Sequence, residues 1–329
     1  MVDFWQLLQN GVVEIISPTT AAYALAALGL AIHFGYTGLL NFGQAGFMAI
    51  GAYGYAISTL TLGFPVWGAV LVGIGGSVVF ALILGIPTLR LRADYLAIVT
   101  IAASEILRLI FTTNSLEPIT GSADGLSGYK GGFAALNPIP DGTYGFGPFE
   151  NNAYDWWLRI VAWSLVVLAA LFAWRLMKSP WGRVIKGIRE EEDAVRALGK
   201  NVYFYKMQSL ILGGVFGTLA GMIFIMPRAV VPANYATTLT FFIYTILLLG
   251  GAATILGPIV GSMVFWVLLS IVSGFVARAQ AAGWFDIIGM SSVQAGQTRF
   301  IIVGVVLMLL VIFRPQGIFG NKKELAFVK

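Results

Sequence analysis

The sequence predicts an all-α fold: a polytopic transmembrane bundle of about nine helices, some of them broken, with a further helical element on the cytoplasmic side. Three observations carry this. Of 329 residues, 58% are hydrophobic and only 11% charged, where a soluble domain carries roughly 25% charged residues. The apolar residues fall into runs near the length, about 20 residues, that crosses a hydrocarbon core. The charged residues gather in short stretches between those runs, so no soluble domain can be cut out, and residues 1–329 read as one membrane domain.

The first residues, MVDFWQLLQNGVVEII, hold no Lys or Arg and carry Asp3 and Glu14. They lack the basic start of a cleavable signal peptide and are expected to be retained. Formal net charge is +5, but the basic residues flank apolar runs, a membrane pattern that calls for no nucleic acid. Without cysteine, disulfides, thiol catalysis and cysteine metal sites are excluded.

Hydropathy marks four spans over 19–114: Thr19 to Tyr36, Asn41 to Leu60, Val66 to Pro87 and Asp94 to Asn114. A fifth runs from Trp156 to Met177. The last four, within 207–313, are Met207 to Met226, Leu239 to Ala253, Pro258 to Ala277 and Arg299 to Phe313. With the amino terminus outside, nine crossings put Thr88 to Ala93, the segment 178–206 and the tail 314–329 in the cytoplasm. These hold 2, 7 and 4 of the 20 basic residues. The opposite loops hold only Lys130, Arg228 and Arg278, so positive charge selects this orientation.

The outer connection, 115–155, is the longest, and a loop of that length is usually functional or disordered. Its ITGSADGLSG core, Ile119 to Gly128, reads as turns over a pore mouth, with Thr120, Gly121, Asp124 and Gly125 at the bends, or else as a solvated surface loop. Gly213, Gly214, Gly217 and Gly221 on one span, and Gly257 and Gly261 on another, have the small-residue spacing that lets helices approach closely in lipid.

Two stretches break the pattern. Leu39 to Tyr55 places Asn41, Gln44 and four glycines inside a span, and Leu247 to Ser262 inserts Gly250, Gly251 and Pro258. Broken helices survive at membrane depth where the freed backbone is buried in protein or lines a cavity, and paired breaks point to a substrate path. The second stretch reads equally well as a structural kink or simply a loop between two spans. Asn41 and Gln44, with Glu105, are the candidates for the path. Glu105 and Arg108 share one helical face and form either a structural ion pair or part of the path. The single histidine, His33, has no acidic neighbour in sequence and reads as a buried structural residue. No GxxxxGK[ST] motif occurs, so the chain cannot hydrolyse ATP by the P-loop route.

Ser179 to Lys206, SPWGRVIKGIREEEDAVRALGKNVYFYK, is polar and helix-forming. Ile188, Ala194, Val195 and Leu198 offer an apolar stripe beside Glu190, Glu191, Glu192 and Asp193. Four consecutive acids oppose an anionic membrane surface and favour a protein partner.

These residues resemble the permease subunits of bacterial ABC importers for branched-chain amino acids, specifically the longer of the two permease types. GLLNFGQAGFMAIGAY (Gly38 to Tyr53) and LRLRADYLAIVTIAASEILR (Leu89 to Arg108) are similar to two signatures of that family. ITGSADGLSG resembles its Thr-Gly-Gly-x-x-Gly turn, with Ser122 where Gly is usual. Asp193 to Gly199 resembles the E-A-A-x-x-x-G coupling motif, with Asp for Glu and Val for the second Ala; GGAATILGPIVGS and FRPQGIFG (Phe313 to Gly320) complete the likeness, from about residue 20 to 320.

The resemblance implies a non-catalytic subunit in a bacterial plasma membrane, surrounded by lipid. Its implied partners are a second permease, two ATP-binding cassette ATPases and an extracytoplasmic solute-binding protein. No cofactor is expected on this chain; ATP and Mg belong to the ATPases. Arg189, Glu192, Asp193, Ala194, Val195, Leu198 and Gly199 would form the ATPase coupling site. The same fold importing urea, short amides or another small polar solute is one alternative, and an ion-coupled secondary transporter without a coupling helix is another. A membrane-embedded enzyme is a third, opposed by the lack of a catalytic set.

Overall fold

The computed structural model describes residues 4–90, 93–282, 292–314 and 316–320. In chain order the helices are α1 (Phe4–Glu14), α2 (Pro18–Leu30, continued by a π-helix over Ala31–Tyr36), α3 (Gln44–Leu60), α4 (Val66–Thr88) and α5 (Ala93–Phe111). The outer connection holds α6 (Glu117–Thr120), α7 (Gly131–Ala134) and a small antiparallel hairpin, β1 (Thr143–Tyr144) with β2 (Asn151–Asn152). Then follow α8 (Ala153–Lys178), α9 (Pro180–Glu190), α10 (Glu192–Ala197), α11 (Val202–Ile225), α12 (Thr237–Gly250), α13 (Leu256–Ala281) and α14 (Ser292–Phe313).

The all-α membrane bundle is present, but the count of nine spans is not reproduced. Among the described residues four helices, α4, α8, α11 and α13, are long and apolar enough to cross, and up to six spans result if two bent pairs each count as one. One bent pair joins α1 to α2 at 48° and the other joins α5 to the short helices over 114–120 at 62°. The helix α1 was not foreseen as an element, because Gln6, Gln9, Asn10 and Glu14 interrupt its apolar run. The expected span from Asn41 starts its helix only at Gln44, and that from Leu239 to Ala253 is a 14-residue helix, about 21 Å long, ending at Gly250. The spans expected over 19–36, 66–87, 156–177, 207–226 and 258–277 each fall on a helix. Leu91, Arg92 and residues 321–329 of the basic flanks lie outside the described residues, as does Pro315 of the FRPQGIFG motif.

The sequence of α2, PTTAAYALAALGL, explains its place at the centre. Ser17 caps it by accepting from the Thr20 amide at 3.1 Å, Pro18 occupies the first turn, and its five alanines leave room for neighbours on all sides. Thr20 to Leu30 are all buried, and α11, α13, α8 and α12 pack around them. The small-residue faces of α11 work as their spacing predicts: a β-carbon at Gly213 would sit 2.4 Å from the carbonyl oxygen of Gly29, and one at Gly221 would sit 2.0 Å from that of Met48. Direct backbone approach of this kind is what holds helices together where lipid competes for apolar contact.

Candidate functional site

The two broken stretches meet. After the π-helix, residues 38–43 run irregularly into α3, and residues 251–255 run irregularly between α12 and α13. Gly35 lies directly on the second break, since a β-carbon there would meet the Ala252 carbonyl oxygen at 1.8 Å. Phe42 stacks on Tyr244 with centroids 4.4 Å apart, the Tyr244 hydroxyl donates to the Asn41 carbonyl at 3.1 Å, and the Ala45 amide donates to Thr240 Oγ1 at 3.0 Å. The carboxyl-terminal motif closes the second break. The Ile318 and Phe319 amides donate to the carbonyls of Leu249 and Gly250, at 2.9 and 3.0 Å, satisfying acceptors that the end of α12 leaves free.

Asn41 and Gln44 do not face an open path in this structure; both are fully buried and their polar atoms are used. Asn41 Nδ2 donates to His33 Nδ1 at 3.0 Å and to Gln44 Oε1 at 3.2 Å, while Asn41 Oδ1 accepts from the Gly43 amide at 2.9 Å. Gln44 Nε2 reaches the carbonyls of Ala26 and Gly213. Since Nδ1 of His33 accepts, its Nε2 carries the proton and donates to the Leu210 carbonyl at 3.0 Å. His33 therefore has the buried structural place expected of it. The knot supplies partners for backbone that the irregular stretch frees, the condition for breaking a helix at membrane depth. Glu105 stands apart from Asn41 and Gln44, on α5, paired with Arg108 (Nε to Oε1, 2.9 Å), with both side chains partly exposed.

The polar segment 179–206 folds as an elbow of α9 and α10, and here the expected apolar stripe is corrected. Glu191 is extended (φ −153°, ψ 97°) and separates the helices, so the four apolar residues do not share one face. Ile188 and Val195 turn inward and are buried, whereas Ala194 is exposed and Leu198 is 79% exposed. Gly199, at φ +75°, ends the elbow in the left-handed conformation that glycine adopts without cost. Arg196 pairs with Glu192 and Asp193, each at 2.8 Å, and Glu192 also pairs with Lys206 at the start of α11. Arg189 points inward and donates to the Gly35 carbonyl. A cleft of about 280 Å³ lies between the elbow and residues Thr37, Gly38, Thr88 and Leu89.

In the outer connection, Gly121 (φ +71°) and Gly125 (φ +75°) make successive tight turns, and Leu126 pairs with Val230 as an antiparallel bridge. Thr120 Oγ1 lies 3.1 Å from the Phe111 carbonyl and 3.0 Å from that of Leu116, and Asp124 stays exposed. The Tyr129 hydroxyl, pushed well up from its ordinary pKa by burial, lies 2.9 Å from the Ile225 carbonyl and 2.6 Å from that of Arg228. The turns thus pack on the α11–α12 connection instead of standing free in solvent.

Fold and site together define a multi-pass α-helical membrane protein built around two interlocked helix breaks, with a polar elbow tied to one of them. The chain belongs to the branched-chain amino acid transport system / permease component family, whose profile matches residues 13–313. It is 30% identical over 95% of its length to the high-affinity branched-chain amino acid transport system permease protein LivM of Escherichia coli (strain K12), covering 71% of that protein. It is 27% identical to the probable branched-chain amino acid transport permease protein LivM of Methanocaldococcus jannaschii, with 91% of each chain covered. A more distant relative is the guanosine ABC transporter permease protein NupQ of Bacillus subtilis, 26% identical over 65% of this chain and 67% of that protein.

Proposed function

We propose that this chain is the permease subunit of an ABC importer in a bacterial plasma membrane, forming half of a translocation path for branched-chain amino acids with a second permease. An extracytoplasmic binding protein delivers the solute, and two partner ATPases bind and hydrolyse ATP with Mg; this chain catalyses nothing. The elbow of α9 and α10 faces the cytoplasm and seats in the ATPases, with the outer connection on the opposite side of the membrane.

The observation that carries the reading is the continuity from elbow to breaks. Leu198 and Ala194 offer exposed apolar contact, Val195 anchors α10 inward, Arg189 ties α9 to Gly35, and Gly35 rests on Ala252. A displacement of α10 by a closing ATPase pair therefore bears on both broken helices. ATP does the work by binding one arrangement of the complex better than the other. Asn41 and Gln44 keep the first break in shape, and Glu105 pairs with Arg108 along α5.

The test is uptake by proteoliposomes containing this chain, the second permease, the ATPases and the binding protein. ATP-dependent accumulation of L-leucine, with urea and guanosine excluded, supports the reading. Accumulation of urea or guanosine in its place rejects the assigned solute.

A further inference from the structure

A separate cavity lies away from the helix breaks. It has a volume of about 560 Å³ and sits between the α1–α2 bend, residues 228–238 and α13, within the roughly 300–1,000 Å³ typical of small-molecule sites. Its lining is amphipathic. Glu14 and Arg228 both line it, and neither forms an ion pair among the described residues. Arg228 is held, not free: it donates to Thr19 Oγ1 at 2.8 Å and lies 4.2 Å from the centroid of Phe224. Phe242, Trp266 and Leu269 form an apolar wall, and the buried indole Nε1 of Trp266 has no hydrogen-bond partner.

Glu14 feels Arg159 only at longer range and Arg228 has no close acidic partner among the described residues; charges beside a membrane are costly, and the cost falls when each meets a close opposite charge. One ligand carrying both signs and an apolar tail meets all three parts of the lining. The geometry points to a binding site within this single chain for a free apolar amino acid, its carboxylate on Arg228, its ammonium on Glu14 and its side chain against Phe242, Trp266 and Leu269. The inference rests on the transport reading for its choice of amino acid. It adds a site inside one permease, off the junction of the two breaks. Phosphatidylethanolamine shares the pair of charges, and the test separates the two sources.

Binding of tritiated L-leucine to the purified full-length chain in detergent is the measurement, with Arg228→Gln, Arg228→Lys and Glu14→Gln alongside. Saturable binding should weaken about tenfold or more in Arg228→Gln and in Glu14→Gln, as for the loss of a charge-assisted hydrogen bond. Arg228→Lys should restore most of it. Isocaproate, which lacks the amine, and isopentylamine, which lacks the carboxylate, should not compete. Wild-type binding by Arg228→Gln and Glu14→Gln samples that melt like the parent overturns the site, and so does phosphatidylethanolamine retained in native mass spectra that leucine does not displace. If leucine binding fails while the reconstituted wild-type complex still takes up leucine with ATP, the site falls and the transport reading stands. Loss of that wild-type uptake would bring down the reading itself.

Discussion

The guanidinium of Arg189 donates to the carbonyl of Gly35, joining the polar elbow to the end of the first broken helix. The carbonyl lies within a π-helix, Ala31–Tyr36, whose wider turns free acceptors from the usual ladder. Removing a charged donor from such an acceptor costs about 1.5–3 kcal/mol. Arg189→Ala should therefore lower the melting temperature of the purified chain. In the assembled importer it should also raise ATP hydrolysed per leucine transported, because the elbow then moves without the break. An unchanged ratio would deny Arg189 its linking place.

Gly35 itself admits no side chain. Gly35→Ala drives a β-carbon into the Ala252 carbonyl oxygen, and overpacking of this kind costs about 1–3 kcal/mol or more. The variant should yield less folded protein, read as the monodisperse fraction in detergent. Gly199→Ala is the contrast. No atom lies within 4 Å of its added carbon, so only the left-handed backbone is penalised, by about 1–2 kcal/mol, and the damage stays local to the elbow.

The knot of His33, Asn41 and Gln44 is buried with its hydrogen bonds made, so breaking it leaves partners unpaired. Asn41→Leu strands His33 Nδ1, Gln44 Oε1 and the Gly43 amide and should destabilise by about 3 kcal/mol or more, at about 1–3 kcal/mol for each group left unsatisfied. Glu105→Gln is milder. Its ion pair is partly exposed, so the expected loss is under about 1 kcal/mol, and the leucine KM of assembled material should not move. A large KM change in Glu105→Gln would put that carboxylate on the path.

Much of the architecture was legible because burial in lipid writes itself as long apolar runs and small-residue spacings. Gly213 and Gly221 could be placed on packing faces from spacing alone, and both broken stretches could be located from Asn41, Gln44, Gly250 and Gly251. The interlock of the breaks was not legible, since the approach of Gly35 to Ala252 spans more than 200 residues of sequence. Nor was the turning of Ile188 and Val195 away from Leu198. It depends on one extended residue, Glu191, that helical periodicity passes over. The cavity between Glu14 and Arg228 has no local pattern at all.

Ser122 shows how one residue can satisfy a position made for another. It sits at φ +47° where glycine would be unstrained, and its hydroxyl, with one proton to donate, lies 2.8 Å from the Thr112 carbonyl and 3.0 Å from Asn114 Oδ1. Ser122→Gly trades that hydroxyl's hydrogen bonding, about 1 kcal/mol in all, for relief of about 1–2 kcal/mol of backbone strain, and should be nearly neutral. Ser122→Ala loses the contacts and keeps the strain, so it should be the less stable of the two in thermal unfolding. The opposite order would mean that the hydroxyl contributes nothing to the turn.

The proposed contact between Leu198 and a partner ATPase is the most direct object of measurement. The chain has no cysteine, so Leu198→Cys introduces a single thiol, at an exposed site where substitution should change stability by no more than about 0.5 kcal/mol. In the assembled complex this thiol should be shielded from a water-soluble maleimide and should crosslink to an ATPase subunit through a short bifunctional reagent. Full maleimide labelling in the assembled complex, with no crosslink to an ATPase, would contradict the account.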